Sequence, residues 1–317
     1  MKLVELVLNI DVNIEQPKLK FHIRRVGIVN VNVPTFSMKI GGSSTLAVAK
    51  VSAFIDLPAT YKGIHASRSY ESIVDVFLDC VGKEMKIEEF CSQTAEDLLK
   101  RHSYASRSEV RMMSLIVFPQ ITPKTEKISY ERAYLIGRAV AKRKKSEVNI
   151  TKRSIGVKVA GITACPSAQR TLISKTAEML GKVNPDLIDE ILKVVPKATH
   201  LQRAYAKLII QLPGKYDVDA FKLIKIARKS TSSQTYELLK REDEAEVILS
   251  ALNNPMFAED VVRQMAKGVL ENFPELPDET KVFLSIRSLE SIHQHDLVAY
   301  LHTTLKQLRK TRYQRIK

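Results

Sequence analysis

The chain has 317 residues, of which 44% are hydrophobic and 27% are charged, and it contains no Trp. This composition is typical of a globular protein with a sizeable core, and it excludes a largely disordered or low-complexity chain. The formal net charge of +15 predicts a polyanionic partner, either nucleic acid or a small phosphorylated ligand.

The cysteines and the apolar segments bear on the compartment in which the chain works. Cys80, Cys91 and Cys165 are too few and too scattered for a disulfide framework, which indicates a reducing interior. Charges interrupt the first ten residues, so we expect no signal peptide, and no apolar run has the length of a membrane span. The sequence therefore predicts a cytoplasmic protein without a membrane partner.

Hydrophobic periodicity in the first half predicts the order strand, strand, helix, helix, strand, strand. Strands are expected where apolar residues alternate or run together, and helices where one apolar stripe recurs at helical spacing. The strands are predicted at residues 18–24, 46–57, 109–118 and 132–142, and the helices at residues 70–81 and 87–98.

The second half predicts the same order with two inserted helical stretches, although the halves share no visible sequence identity. The strands are predicted at residues 155–163, 204–212, 282–289 and 297–305, the helices at residues 218–227 and 260–270, and the insertions at residues 168–195 and 236–250. Hairpins with helices on one face define an α+β layer, and the open edges of such a sheet favour association between chains. We therefore predict two units, residues 1–150 and residues 151–317.

Cys165 and His200 are the side chains best suited to chemistry. Cys165 precedes Pro166, which favours an extended conformation at a strand end, and His200 precedes the next predicted strand. A thiolate and a neutral imidazole bind zinc or ferrous iron, and a carboxylate as third ligand would leave a position for a water of lowered pKa. The spacing alone fits no metal motif, so a core thiol and a surface histidine remain the simpler interpretation without further context.

Seven motifs supply that context, because they occur in a fixed order along most of the chain. They are Asp56-Leu57-Pro58, Lys62-Gly63-Ile64-His65-Ala66-Ser67-Arg68, Ala164-Cys165-Pro166-Ser167-Ala168-Gln169, Thr199-His200-Leu201-Gln202-Arg203, Leu238-Leu239-Lys240-Arg241-Glu242-Asp243-Glu244, Asn254-Pro255-Met256-Phe257-Ala258-Glu259-Asp260 and Glu290-Ser291-Ile292-His293-Gln294-His295. The series resembles the prokaryotic GTP cyclohydrolases of type IB, and most closely their archaeal MptA branch. The resemblance implies a bimodular tunnelling fold, with two antiparallel-sheet units each carrying helices on one face. It also implies a homo-oligomer, a dimer or a tetramer, with active sites at its interfaces.

The resemblance implies a metal site and a pair of catalytic histidines. Cys165, His200 and Glu244 would bind one divalent metal per subunit, ferrous iron in this branch, with manganese or zinc as alternatives. Cys165 is also assigned to catalysis, together with His293 and His295. On a strand these two alternate residues would face one side, where an imidazole can relay protons. Without the resemblance, Glu244 is simply an exposed acid in a mixed-charge helix start.

Further residues are assigned to the substrate, GTP. Glu259 would accept hydrogen bonds from the guanine edge, although an acid at this position also complements a helix dipole. The residues assigned to the triphosphate are Lys62, His65, Ser67, Arg68 and Arg203. The first four gather at a predicted helix start, where free amides favour anions. An ordinary solvated turn is the alternative for that motif.

The implied reaction converts GTP to 7,8-dihydroneopterin 2',3'-cyclic phosphate, formate and diphosphate, and it feeds methanopterin-type cofactors. The alternative product is 7,8-dihydroneopterin triphosphate. Many relatives carry a second cysteine where this chain has Ser167, which can only hydrogen-bond. A non-enzymatic RNA-binding protein is the competing class, but only 6% of residues are aromatic and no stacking signature is present, so we expect no nucleic-acid partner.

Overall fold

The computed structural model describes residues 11–40, 43–83, 85–182, 188–214 and 216–314. The strands in these ranges are β1 (Ile23–Ile40), β2 (Ser43–Leu57), β3 (Arg107–Ile121), β4 (Ile128–Lys144), β5 (Glu147–Ala164), β6 (Leu201–Leu212), β7 (Lys281–Ser288) and β8 (Leu297–Thr304). The α-helices are α1 (Ala66–Cys80), α2 (Ile87–Arg101), α3 (Pro166–Gly181), α4 (Ile188–Val194), α5 (Ala220–Lys229), α6 (Arg241–Asn253), α7 (Ala258–Asn272) and α8 (Leu305–Gln314). A 3-10 turn, Val12–Ile14, precedes β1. No helix in these ranges is long and apolar enough to cross a membrane.

The chain divides into two compact units. Unit 1 is Met1–Leu115 with Ile136–Ile155, and unit 2 is Ile116–Leu135 with Gly156–Lys317. Strands β3, β4 and β5 contribute one part to each unit. The strand order is β1-β2-β3-β4-β5 within unit 1 and β3-β4-β5-β6-β7-β8 within unit 2, and neighbouring strands pair antiparallel. Both units therefore combine antiparallel strands with helices, as an α+β protein does.

The core of unit 1 lies between one face of its sheet and the helices α1 and α2. Alternate residues of β2 and β3, such as Ile55 and Met112, are fully buried on that face. Ile73 of α1 and Phe90 of α2 are buried as well, because the apolar stripes of both helices turn inward. This burial confirms the two helices and the strands β2, β3 and β4 that the periodicity predicts.

The core of unit 2 is built in the same way. Leu208 of β6 and Leu284 of β7 are fully buried, and they pair in the antiparallel register. The buried stripes of α5 and α7 include Leu223 and Met265. The predicted strands and helices of this half are confirmed, with bounds shifted by a few residues, except β5, which begins at Glu147 rather than at residue 155.

Three predicted elements have different bounds in the structure. The strand predicted at residues 18–24 begins only at Ile23, because Ile23 pairs with Leu57, the last residue of β2, and earlier residues have no neighbour strand. The helix predicted at residues 236–250 begins only at Arg241. The helical stretch predicted at residues 168–195 forms two helices, and residues 183–187 between them lie outside the described residues.

Candidate functional site

The end of β5 fixes the position of Cys165. The strand ends at the fully buried Ala164, and Cys165 is the N-cap of α3 with an extended backbone. Pro166 occupies the first helical position, where the missing N–H costs nothing and its fixed φ suits the helix. The Cys165 sulfur accepts a hydrogen bond from the Ala168 N–H at 3.4 Å. The predicted strand-end position of Cys165 is therefore confirmed, and its thiol is held by the helix that follows.

His200 lies beside Cys165 because β5 and β6 are neighbours. The Cys165 N–H donates to the His200 carbonyl at 3.4 Å, and the Thr199 hydroxyl donates to the Cys165 carbonyl at 2.8 Å. His200 Nδ1 is 2.8 Å from Gln202 Oε1, and Gln202 Nε2 donates to Glu290 Oε1 at 3.3 Å. Since the amide oxygen only accepts, Nδ1 carries the hydrogen and Nε2 keeps its lone pair. That lone pair is what a metal ion takes from a neutral imidazole.

The turn between β7 and β8 brings two more histidines to the same place. His293 and His295 stack with ring centroids 5.0 Å apart and 12° between the ring planes. They lie in bends rather than on a strand, so the strand argument for them was wrong, although both face one pocket. The pocket has a volume of about 190 Å³ and is lined by Cys165, His200, Gln202, Glu290, His293, His295 and the start of α7. It thus collects four of the predicted site residues.

Gln202 and Glu290 also line the pocket, and sequence reasoning gave them no role. Gln202 is 9% exposed, and it links the imidazole of His200 to the Glu290 carboxylate. The sequence spacing could have indicated Gln202. Residues two apart on a strand face the same side, and Gln202 follows His200 at that spacing. Glu290 opens the motif that contains His293 and His295, but its contact with Gln202 spans 88 residues and could not be read from the sequence.

The two predicted glutamates lie outside the pocket wall. Glu259 is exposed in the first turn of α7, directly after Ala258, which lines the pocket. Glu244 is exposed in the first turn of α6. Among the described residues, no group of three or more His, Cys, Asp or Glu side chains is arranged to hold a metal ion. Cys165 and His200 therefore provide two suitable donors, and Glu244, the predicted third ligand, does not line their pocket.

Asp243, the neighbour of Glu244, is the buried carboxylate of that motif. It is fully buried and accepts hydrogen bonds from the N–H groups of Lys124, Thr125 and Lys240 at 2.9 to 3.0 Å. Burial raises the pKa of Asp243, but the Thr125 hydroxyl and these amides outweigh it and hold the pKa well below its usual range. The ionised Asp243 thus fixes the start of α6 and with it the backbone of Glu244.

The motif from Lys62 to Arg68 lies in unit 1 at the start of α1, as predicted. His65 is the N-cap, and its Nε2 donates to Asp11 Oδ2 at 2.7 Å, which lowers the pKa of Asp11. Lys62 pairs with Glu15 at 2.7 Å. Ser67 and Arg68 are exposed, so two of the four side chains are open to a ligand and two are engaged by acids.

Arg203 faces away from the pocket that contains Cys165. Alternation along β6 buries Gln202 on the core face and exposes Arg203 on the other face. There Arg203 lines a second pocket of about 250 Å³ within unit 2, together with Lys158, Tyr205 and Arg228. The structure therefore separates Arg203 from the four residues that line the first pocket.

Solved structures define the class of fold. The uricase from Arthrobacter globiformis matches with a TM-score of 0.52 at 8% identity, covering 91% of this chain and 96% of that chain. A hyperthermostable variant of the urate oxidase of Bacillus sp. TB-90 matches with a TM-score of 0.51 at 12% identity, covering 89% of this chain and 99% of that chain. At such identities the likeness shows the fold alone, which is the tunnelling fold of the uricases.

Sequence comparison defines the family. The model of the type I GTP cyclohydrolase folE2 family matches residues 10–299, so the chain belongs to that family. A GTP cyclohydrolase MptA of Methanoculleus marisnigri is 37% identical over 301 residues, covering 94% of this chain and 96% of that protein. A GTP cyclohydrolase MptA of Methanocaldococcus jannaschii is 37% identical over 306 residues, covering 95% of this chain and 96% of that protein. The resemblance carried by the seven motifs is thereby confirmed.

Proposed function

We propose that this chain is a metal-dependent GTP cyclohydrolase that converts GTP to 7,8-dihydroneopterin 2',3'-cyclic phosphate, formate and diphosphate. The product would enter the synthesis of methanopterin-type cofactors. Family membership and the names of the archaeal relatives support the activity. The observation that carries the proposal is the pocket that Cys165 and His200 share with the two histidines of the β7–β8 turn. The alternative product is 7,8-dihydroneopterin triphosphate.

Cys165 and His200 would hold the metal, since the chemistry of both donors fits a divalent ion. The Cys165 sulfur lies at a helix start, and His200 has its Nε2 lone pair available because Nδ1 is committed to Gln202. When bound, ferrous iron, manganese or zinc would supply Lewis acidity and lower the pKa of a water molecule. Ferrous iron is the ion that we propose.

Glu244 is the proposed third ligand. Its place in the family motif supports the role, and so does the exposure of its carboxylate. Asp243 holds the backbone at this point through its buried hydrogen bonds. The chain thus presents Glu244 from an ordered helix start, which limits the entropy lost when a carboxylate is immobilised.

His293 and His295 would move protons during ring opening. Breaking the bonds between carbon and nitrogen in the five-membered ring of guanine requires a proton on each departing nitrogen. Imidazole can act as a general acid or base, and both histidines are exposed where they line the pocket. One of the two stacked imidazole rings would donate a proton directly to the departing nitrogen. The other ring would hold the first in place by stacking against it.

Substrate recognition would involve both ends of GTP. Glu259, at the start of α7, would accept the two N–H groups of the guanine edge, which adenine lacks. Lys62, His65, Ser67, Arg68 and Arg203 would bind the triphosphate. Free amides at the start of α1 and the exposed guanidinium of Arg68 support this role.

The proposed assembly is a homo-oligomer, a dimer or a tetramer, of chains that each contain two tunnelling-fold modules, residues 1–150 and 151–317. Support for two modules comes from the repeated order of strands and helices. Open sheet edges support association, because unpaired edge strands tend to be covered by other chains. Sedimentation of the full chain, with and without metal, measures the subunit number.

An anaerobic assay tests the activity. The full chain is incubated with GTP and with ferrous, manganous or zinc ions in turn, and formate and the pterin product are followed by mass. We expect one formate per GTP and the mass of the cyclic phosphate with ferrous iron. Absence of formate with all three metals, combined with salt-sensitive RNA binding, would support the RNA-binding class instead.

A further inference from the structure

Four arginines of unit 1 converge on one buried carboxylate, that of Glu109. Glu109 is 2% exposed. Arg111 Nε and Arg138 Nε donate to Oε1 at 2.6 and 3.0 Å, and Arg107 Nη2 donates to Oε2 at 2.7 Å. Arg25 Nε is 3.8 Å from Oε2, within ion-pair distance. We call these four residues with Glu109 the arginine cluster.

The arginine cluster lies on the sheet face opposite α1 and α2. In the register of β2 and β3, Phe54 pairs with Glu109, while their neighbours Ala53 and Val110 pair on the core side and are fully buried. Alternation therefore turns Phe54 and Glu109 away from the core. The Arg25 guanidinium covers the Phe54 ring at 3.4 Å from its centroid, so Arg25 lies on the same face as Glu109.

The charges of the cluster do not balance. Burial opposes ionisation of Glu109, but hydrogen bonds from the arginines hold its pKa at about 2, so it contributes one negative charge. Among the described residues, no other acid forms an ion pair with any of the four arginines. Three positive charges are therefore in excess. Burial and repulsion from Arg111 lower the pKa of Arg25, as expected when like charges are crowded.

The guanidinium groups also keep donors for a ligand. Each carries five N–H groups, and the bond to Glu109 uses one of them in Arg107, Arg111 and Arg138. Their side chains are 22, 51 and 33% exposed, so the remaining N–H groups reach the surface. A planar fork of this kind binds oxyanions through paired, charge-assisted hydrogen bonds.

We propose that the arginine cluster is a binding site for an oligophosphate, a di- or triphosphate group either free or attached to a nucleoside. An excess of three charges matches a multiply charged anion better than a single carboxylate or chloride. Glu109 acts as the internal counter-ion that holds the guanidinium groups in place until the ligand arrives. The proposal does not depend on the cyclohydrolase activity, since its residues differ from those assigned to the reaction.

The test uses the full chain and inorganic tripolyphosphate, with binding measured by calorimetry at constant ionic strength. Arg111→Gln combined with Arg138→Gln should weaken binding by about tenfold or more, because two charge-assisted contacts are lost. Lys306→Gln combined with Lys310→Gln removes the same charge from the exposed face of α8 and is the matched control. Equal affinity in the two double variants would overturn the proposal.

Glu109→Gln separates a binding site from a purely structural ion pair. Removing the internal counter-ion leaves four positive charges in excess, so tripolyphosphate should bind several-fold tighter than to the parent. The melting temperature should fall without the anion and recover when it is added. If Glu109 and the arginines were only a structural ion pair, the melting temperature of Glu109→Gln would fall and would not recover when the anion is added. That result would contradict the proposal even if the arginine variant failed to fold.

Comparison of ligands identifies the source of the oligophosphate. If the arginine variant binds tripolyphosphate more weakly than the parent but binds GTP equally well, the ligand is a free oligophosphate. If the variant binds both tripolyphosphate and GTP more weakly but its affinity for guanosine is unchanged, the ligand is a nucleoside triphosphate. A change in subunit number with unchanged anion affinity would mean that a second copy of the chain covers the cluster, and the proposal would be wrong.

Discussion

His200 donates its Nδ1 hydrogen to the Gln202 side chain over 2.8 Å, and Gln202 in turn donates to Glu290 over 3.3 Å. The carboxylate of Glu290 only accepts, so it orients the amide, and the amide selects the tautomer of His200. This chain of three side chains leaves Nε2 of His200 as the ligand atom. These hydrogen bonds fix the orientation and the tautomer of the His200 imidazole before a metal binds.

Gln202→Leu should therefore reduce metal affinity by about 10- to 100-fold, since the partner that fixes the imidazole is lost. Metal content after competition with a chelator measures the effect, and circular dichroism verifies the fold. Ser291→Ala is the control, because its hydroxyl is 3.4 Å from the same nitrogen and contributes little. Unchanged affinity in Gln202→Leu would disprove the orienting role.

Cys165→Ala should lose both bound metal and activity while keeping its secondary structure. The sulfur is the only thiol in the pocket among the described residues, whereas its packing role is small at a half-buried helix N-cap. Ser167→Ala, an exposed position in the same helix start, should retain both. Stoichiometric metal with full turnover in Cys165→Ala would refute the assignment.

Glu259→Gln should weaken GTP binding by about 100-fold, because the two N–H groups of the guanine edge would lose their charged acceptor. The variant should keep its metal, since Glu259 lies in the first turn of α7 and not on the wall of the metal pocket. Calorimetry with GTP and with ATP measures the change. Glu271→Gln at the far end of α7 is the control, and equal GTP affinity in both variants would leave Glu259 only its helix-dipole role.

Arg68→Ala should weaken the binding of GTP by about tenfold or more, because a charge-assisted hydrogen bond in a binding site contributes about 1.5 to 3 kcal/mol. Neutralising Lys142, Lys144 and Lys145 together should change little, since exposed charges are screened over about a Debye length. Arg143 is left in place, because it donates to the carbonyls of Ala105 and Leu99 and so supports the fold. The reverse order of effects would contradict the triphosphate role of Arg68.

His102 should make the stability of unit 1 depend on pH. It is fully buried and hydrogen-bonded to Ser69 and Tyr104, and burial, with the nearby charge of Arg68, lowers its pKa from 6.5 to about 4. As pH falls from 6.5 to about 4, the unfolded chain takes up a proton that the folded chain does not. Stability should fall in that window by up to about 3 kcal/mol.

Urea unfolding between pH 4.5 and 7.5 measures this dependence for the parent and for His102→Gln. The variant lacks the titrating group, so its free energy of unfolding should fall less steeply toward low pH, whatever its stability at neutral pH. The control is His302→Gln, which removes an exposed imidazole from β8. Identical slopes in the parent and in His102→Gln would show that His102 does not titrate in this range.

Local patterns determined much of the architecture from the sequence alone. The apolar stripes of α1, α2 and α7 recur at helical spacing, and Pro166 marks a strand end followed by a helix start, so these features required no long-range information. The exception is β1, where register shifts near Val26, Val31 and Phe36 interrupt the two-residue alternation and hide a strand of 18 residues.

Only the tertiary structure decided which side chains meet. Two adjacent acids, Asp243 and Glu244, are equivalent in the sequence, yet burial against the β3–β4 turn selects Asp243 as the structural carboxylate. Arg25 and Arg138 come together at Glu109 because β1, β3 and β4 belong to one sheet, although more than a hundred residues separate the two arginines. Strand pairing sets such contacts, and the pairing depends on free energies summed over the whole core, which no short motif contains.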